Sequence, residues 1–183
     1  MTKATRESLF TLAYVAAGMA AVLIVGYLTF HHRFFHMPRP LLPFLIVGLA
    51  GSLMYAVVQM RGAGLGILMI VLLYLIQVAM MPPIRPYTLA SAAVYALPVG
   101  FALMAGAYAQ KALGRRLKIG RFTVMGLILA AGYGLMMVLF LIRSRYDIHA
   151  GTVFGQAFIG FKLGAAMGLG FELVDLVGPR PQA

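Results

Sequence analysis

The stretch Gly151-Thr-Val-Phe-Gly-Gln-Ala-Phe-Ile-Gly-Phe-Lys162-Leu-Gly-Ala-Ala-Met-Gly-Leu-Gly-Phe171 decides the class of this protein. It is apolar and long enough to cross a bilayer, since about 20 such residues span a hydrocarbon core. Lys162 interrupts it near the middle. At about 1.5 Å per residue, a helix starting near Gly151 carries that ammonium roughly 16 Å down, close to the midplane. A cation there costs on the order of 3 kcal/mol and calls for protein, water or an anion around it. Gly160, Gly164 and Gly168 recur at four-residue spacing, with Gly155 slightly off their line. Such glycines form one slowly drifting groove that invites a second backbone to approach. Lys162 lies roughly 200° round the helix from Gly160, on the opposite wall.

Composition extends this reading to the whole chain. Of 183 residues, 62% are hydrophobic and 10% charged, and the mean hydropathy is +0.94. A soluble domain of that length needs far more polar surface to cover its core. The absence of cysteine excludes a disulfide framework, a thiolate metal site and a cysteine nucleophile. The net charge of +11 sits in short segments between apolar runs. It therefore points to anionic lipid headgroups and topology rather than to nucleic acid.

The charges divide the chain. Residues 8–30, 40–60, 62–84, 86–110 and 122–142 carry neither charge nor histidine, and 150–171 carries only Lys162. The expectation is an all-α integral membrane protein: a bundle of six transmembrane helices with short connections, forming one transmembrane domain over 1–183. The spans fall near 8–30, 41–60, 64–81, 87–109, 122–142 and 151–171. Lys3 and Arg6 before the first run also suit a signal peptide, but the run's length and the five spans after it favour an uncleaved anchor. With the N-terminus inside, the inner side holds Lys3, Arg6, Arg61, Lys111, Arg115, Arg116, Lys118, Arg121 and Arg180. The outer side holds Arg33, Arg39, Arg85, Arg143 and Arg145. That imbalance predicts a multi-pass protein of the cell (inner or plasma) membrane with both termini cytoplasmic.

The outer side is nonetheless rich in arginine, and all four histidines fall there. His32 and His36 stand four apart, and His149 could join them as metal ligands with Asp147. Arg33 and Arg39 in the same segment would repel a cation, so no metal, haem or other cofactor is expected. Met37-Pro-Arg-Pro40 and Met81 to Pro86 share a Met-Pro…Arg-Pro pattern, each introducing a helix whose first turn suits proline. None of the four acidic residues, Glu7, Asp147, Glu172 and Asp175, lies deep in a span, and no hydrolase or phosphate-loop motif occurs. An enzyme is not expected. Glu172 and Asp175 read as a docking or capping patch facing the basic segment Lys111–Arg121.

Two functional readings remain. Arginine forks suit carboxylate and phosphate. Arg39, Arg85, Arg143 and Arg145 above Lys162 and Gln156 thus make a candidate site for an anionic solute, with Gln77 and Tyr133 as further neighbours. That favours a small-solute transporter, or the membrane-embedded substrate-binding component of one, with Pro98 as a hinge. In outline, six spans and a first helix with Ala13, Ala17 and Ala21 on one line, the chain is similar to the substrate-binding components of energy-coupling-factor importers. The resemblance implies that the alanine line packs on a coupling subunit; it implies no particular vitamin and transfers no ligand residue. The alternative is a non-catalytic accessory subunit of a larger membrane complex, or a homo-oligomer, with Lys162 or the glycine groove met by another chain. A transporter should enclose a watery cavity reaching Lys162. An accessory subunit should be a solid bundle with Lys162 or the groove turned outward.

Overall fold

A computed structural model of the chain describes residues 3–34, 41–61, 63–80, 83–113 and 120–177. Within them lie six α-helices: α1 (Lys3–Phe34), α2 (Leu41–Arg61), α3 (Ala63–Ala79), α4 (Pro86–Leu113), α5 (Arg121–Ser144) and α6 (Ala150–Val177). Four contain stretches long and apolar enough to cross a membrane: Glu7–Thr29, Pro86–Ala112, Arg121–Ser144 and Ala150–Val177. The apolar parts of α2 and α3 are shorter, Leu45–Gln59 and Gly66–Ala79. Each helix is centred on one of the apolar intervals between charges and runs into the charged residues at its ends, and α6 carries Lys162 within its interval. An uninterrupted apolar run satisfies its backbone polar groups internally only as helix.

The helix ends have local causes. Pro86 opens α4, where its missing N–H and fixed φ cost nothing. Thr88 ties the preceding turn, donating its hydroxyl to the Pro83 carbonyl at 2.8 Å and accepting from the Arg85 N–H. At the far end of α5, Arg145 takes a left-handed conformation, φ 57°. Its N–H reaches the Ile142 carbonyl and the next, from Tyr146, reaches Leu141, which ends the helix in a Schellman pair.

Helix α2 lies at the centre. It contacts α1, α3, α4 and α6, while α1, α6, α5, α4 and α3 follow one another around it. Its buried face, Ser52, Met54, Tyr55, Ala56 and Val58, is the middle of the core. Close packing depends on small residues. A Cβ on Gly51 would meet the Met167 sulfur at 2.7 Å, and one on Gly170 would meet the Ala17 carbonyl of α1 at 2.8 Å. Ala13, Ala17 and Ala21 are all half-buried on α1. Helix α4 runs unbroken through Pro98, which is buried against α5 beside Gly132.

The tightest pair is α5 with α6. A Cβ on Gly160 would lie 2.6 Å from the Leu129 carbonyl oxygen, one on Gly164 would strike the Met125 carbonyl, and one on Gly168 would lie 2.5 Å from the Phe122 Cα. The glycine groove is therefore filled by α5 of the same chain. A Cβ on Gly155 would meet nothing. Gly164→Val is expected to lower the unfolding free energy by about 1–3 kcal/mol, as overpacking does. Gly155→Val should stay within about 0.5 kcal/mol of the parent. Denaturant unfolding in detergent micelles, followed by circular dichroism, measures both.

Candidate functional site

Polar chemistry collects at one end of the bundle, where α1 and α5 begin and α2, α4 and α6 finish. Arg121, the first residue of α5, is its hub. Its guanidinium donates to Asp175 of α6 in an ion pair and, at 3.0 Å, to the Tyr55 hydroxyl of α2. Its backbone N–H donates to Glu172 of α6, which caps a helix whose N-cap, Gly120, offers no side chain. Its carbonyl accepts from the Gln110 amide of α4 at 2.7 Å. Asp175 also accepts from the Tyr14 hydroxyl of α1. Glu172 and Asp175 thus face the start of α5, at the edge of the basic segment.

Aromatic packing holds the phenols in place. Tyr55 stacks on Phe171 with centroids 4.0 Å apart, and Tyr14 meets both rings edge-on at 5.2 and 5.9 Å. Beside them Lys111 donates to the carbonyls of Val58 and Gln59, the orphan acceptors at the end of α2. Donors and acceptors here engage one another, so the cluster acts as a clamp joining five helices. The two tyrosines carry no signal in the sequence beyond a hydroxyl near the end of an apolar run.

Lys162 stands apart from this network. It is half-buried, on the stripe Gly151, Gly155, Phe158, Lys162, Ala165, Leu169 and Leu173, in which Ala165 is also half-buried and the others are exposed. Its ammonium sits 4.6 Å from the Phe158 ring centroid, and Phe158 is itself 58% exposed. Among the described residues it makes no ion pair or hydrogen bond. Gln156 lies half-buried on the same helix. Tyr133 packs against Gly160, on the wall away from Lys162, and α3, which carries Gln77, does not touch α6. Neither is a neighbour of the lysine.

At the opposite end of α4 and α5, Arg143 donates to the Tyr87 carbonyl at 2.9 Å and lies over the Tyr87 ring, 4.6 Å from its centroid. Its Nε is buried without an acceptor. Arg85, Arg145 and His149 are exposed at the same end. Arg39, His36 and the side chain of His32 lie outside the described residues. Among the described residues no three of His, Cys, Asp and Glu come together as a metal site. A crevice of about 680 Å³ runs between α4 and α5, lined by Pro98, Phe101, Ala131 and other apolar side chains, and Lys162 is not among them.

The Arg121–Asp175 pair is partly screened, its side chains 29% and 20% exposed. Breaking it therefore costs less than the loss of a fully buried pair. Asp175→Ala is expected to destabilise the bundle by roughly 1–3 kcal/mol and Tyr14→Phe by about 1 kcal/mol, since the latter keeps the ring contacts. Thermal unfolding in detergent orders the two variants.

Compared with protein-family models, with curated proteins and with solved structures, the chain has no match in any of the three.

Proposed function

We propose that this protein is a multi-pass, non-catalytic subunit of a larger membrane complex, joined to a different chain through the outward face of α6. The observation that carries the reading is Lys162, a half-buried cation at mid-helix among exposed apolar side chains, without a counter-charge among the described residues. Lipid is a poor home for it. With all six helices crossing the bilayer, which the charge-free intervals favour, Lys162 lies near the midplane, and a four-carbon stem does not cover the distance to either headgroup layer. The Phe158 ring offers a cation–π contact that offsets only part of the cost.

A partner acid would offset the rest. Gly151 and Gly155 stand four apart on the same stripe with nothing against them, so a neighbouring helix could approach the backbone there. A symmetric pair of copies meeting on this stripe would bring two lysines together. A heterologous partner carrying a carboxylate fits better. The excess of basic residues on the side of Arg121 supports cytoplasmic termini in an inner or plasma membrane.

Solute transport is the second reading. Pro98 favours it, standing mid-helix on the wall of the α4–α5 crevice, where a hinge would alter the crevice's width. It requires an additional, polar pathway reaching Lys162.

Affinity purification from native membranes in a mild detergent separates the two. Lys162→Met is expected to release a co-purifying membrane polypeptide while leaving the isolated chain at least as stable as the parent, since a mid-membrane charge has been removed. An unchanged set of co-purifying chains would count against the subunit reading. Loss of solute uptake with every partner retained would favour transport.

A further inference from the structure

We infer that the crevice between α4 and α5 is a binding site for an anionic phospholipid, with one acyl chain in the crevice and the phosphate on Arg143. This rests on the membrane-spanning placement of α4 and α5 but not on the partner proposed for α6. The crevice runs from Ala93 to Ala105 on α4, about 18 Å of helix, and its lining is apolar throughout. On α5 the lining residues Ile128, Gly132, Leu135 and Leu139 recur at spacings of four, three and four, and one turn further on Ile142 and Arg143 flank that line on either side. On α4 the same face carries Val94, Pro98, Phe101 and Ala105, and seven residues before Val94 it carries Tyr87.

The Arg143–Tyr87 contact therefore lies about one turn of α5 beyond one end of the open apolar crevice. A guanidinium has five N–H donors. Among the described residues Arg143 donates a single hydrogen bond, from Nη2 to the Tyr87 carbonyl, and Nε has no acceptor. A cation with unused Nη donors just beyond an open apolar crevice complements a phosphodiester above a hydrocarbon tail, and Arg85 and Arg145 at the same end add to the attraction. The depth also fits. Arg143 lies at the last turn of α5, where headgroups meet the hydrocarbon core, and the crevice lies below it.

The test uses the purified full chain in detergent, delipidated and then exposed to phosphatidylglycerol and phosphatidylcholine of matched acyl chains. Native mass spectrometry counts the retained lipids. The parent should prefer phosphatidylglycerol, and the preference should weaken in high salt. Arg143→Gln should reduce that preference about fivefold, the worth of one basic residue near an anionic surface, and Arg143→Lys should keep most of it. Ala131→Phe, on the exposed wall of the crevice, should lower retention of both lipids without unfolding the bundle. Lys162→Met should retain both as the parent does. The inference is overturned if Arg143→Gln keeps the full preference or Ala131→Phe retains both lipids. It is also overturned if Ala131→Phe dissociates a second copy or another protein, since a helix would then occupy the crevice. Should Arg143→Gln fail to fold, the salt dependence of the unaltered chain and the Ala131→Phe result decide the matter. Recovery of the chain in the soluble fraction would instead remove the membrane placement beneath both readings.

Discussion

Backbone lies directly on backbone where α6 crosses α5. Both helices are long and apolar enough to cross a membrane; lipid tails are as apolar as leucine, so in that setting dispersion between closely approaching surfaces, rather than release of water, holds such a pair together. Gly160, Gly164 and Gly168 permit that approach, and the space a side chain would need is filled by carbonyls and Cα atoms of α5. The contact fixes the rotation of α6. With the glycines turned to α5, Phe171 is buried beside Tyr55, and the stripe through Phe158, Lys162 and Leu169 has nowhere to face but outward.

The same rotation places both acids of α6 against the start of α5. Arg121 answers them with its side chain and its backbone N–H, so one residue is at once an ion-pair partner and the capped end of a helix. Half-burial raises the interaction above that of a surface pair and leaves it less costly to form than one in the core. Tyr14, Tyr55 and Gln110 extend the bonding to three more helices. Two acids near the end of α6 are thus engaged within the chain, while the cation at its middle has, among the described residues, only the Phe158 ring beside it.

The positions of the helices were legible because each charge-free interval is about one bilayer long, and apolar runs of that length have few alternatives to helix. The two walls of α6 were legible for a simpler reason: 100° per residue separates Lys162 from Gly160 whatever surrounds them. What filled the groove was not legible, because small residues receive a helix of the same chain or of another equally well. The role of Tyr14 and Tyr55 was hidden too. Their hydroxyls acquire meaning only when Arg121 and Asp175, distant in sequence, arrive beside them. Arg85, Arg143 and Arg145 showed in the sequence as an excess of charge, but the link between Arg143 and the apolar face beside it depends on the register of α4 against α5. The proposed neighbours of Lys162, Tyr133 and Gln77, failed for a related reason: polarity in a span does not say which wall it faces.

In the function proposed for this protein, the half-buried Lys162 cation, at mid-helix among exposed apolar side chains, is compensated from outside the chain. The most direct measurement is photocrosslinking in intact membranes from a benzoylphenylalanine placed at Phe158, the ring beside the Lys162 ammonium. An adduct between this chain and a different membrane polypeptide is the expected result. Label confined to lipid or to a second copy of the chain would contradict it.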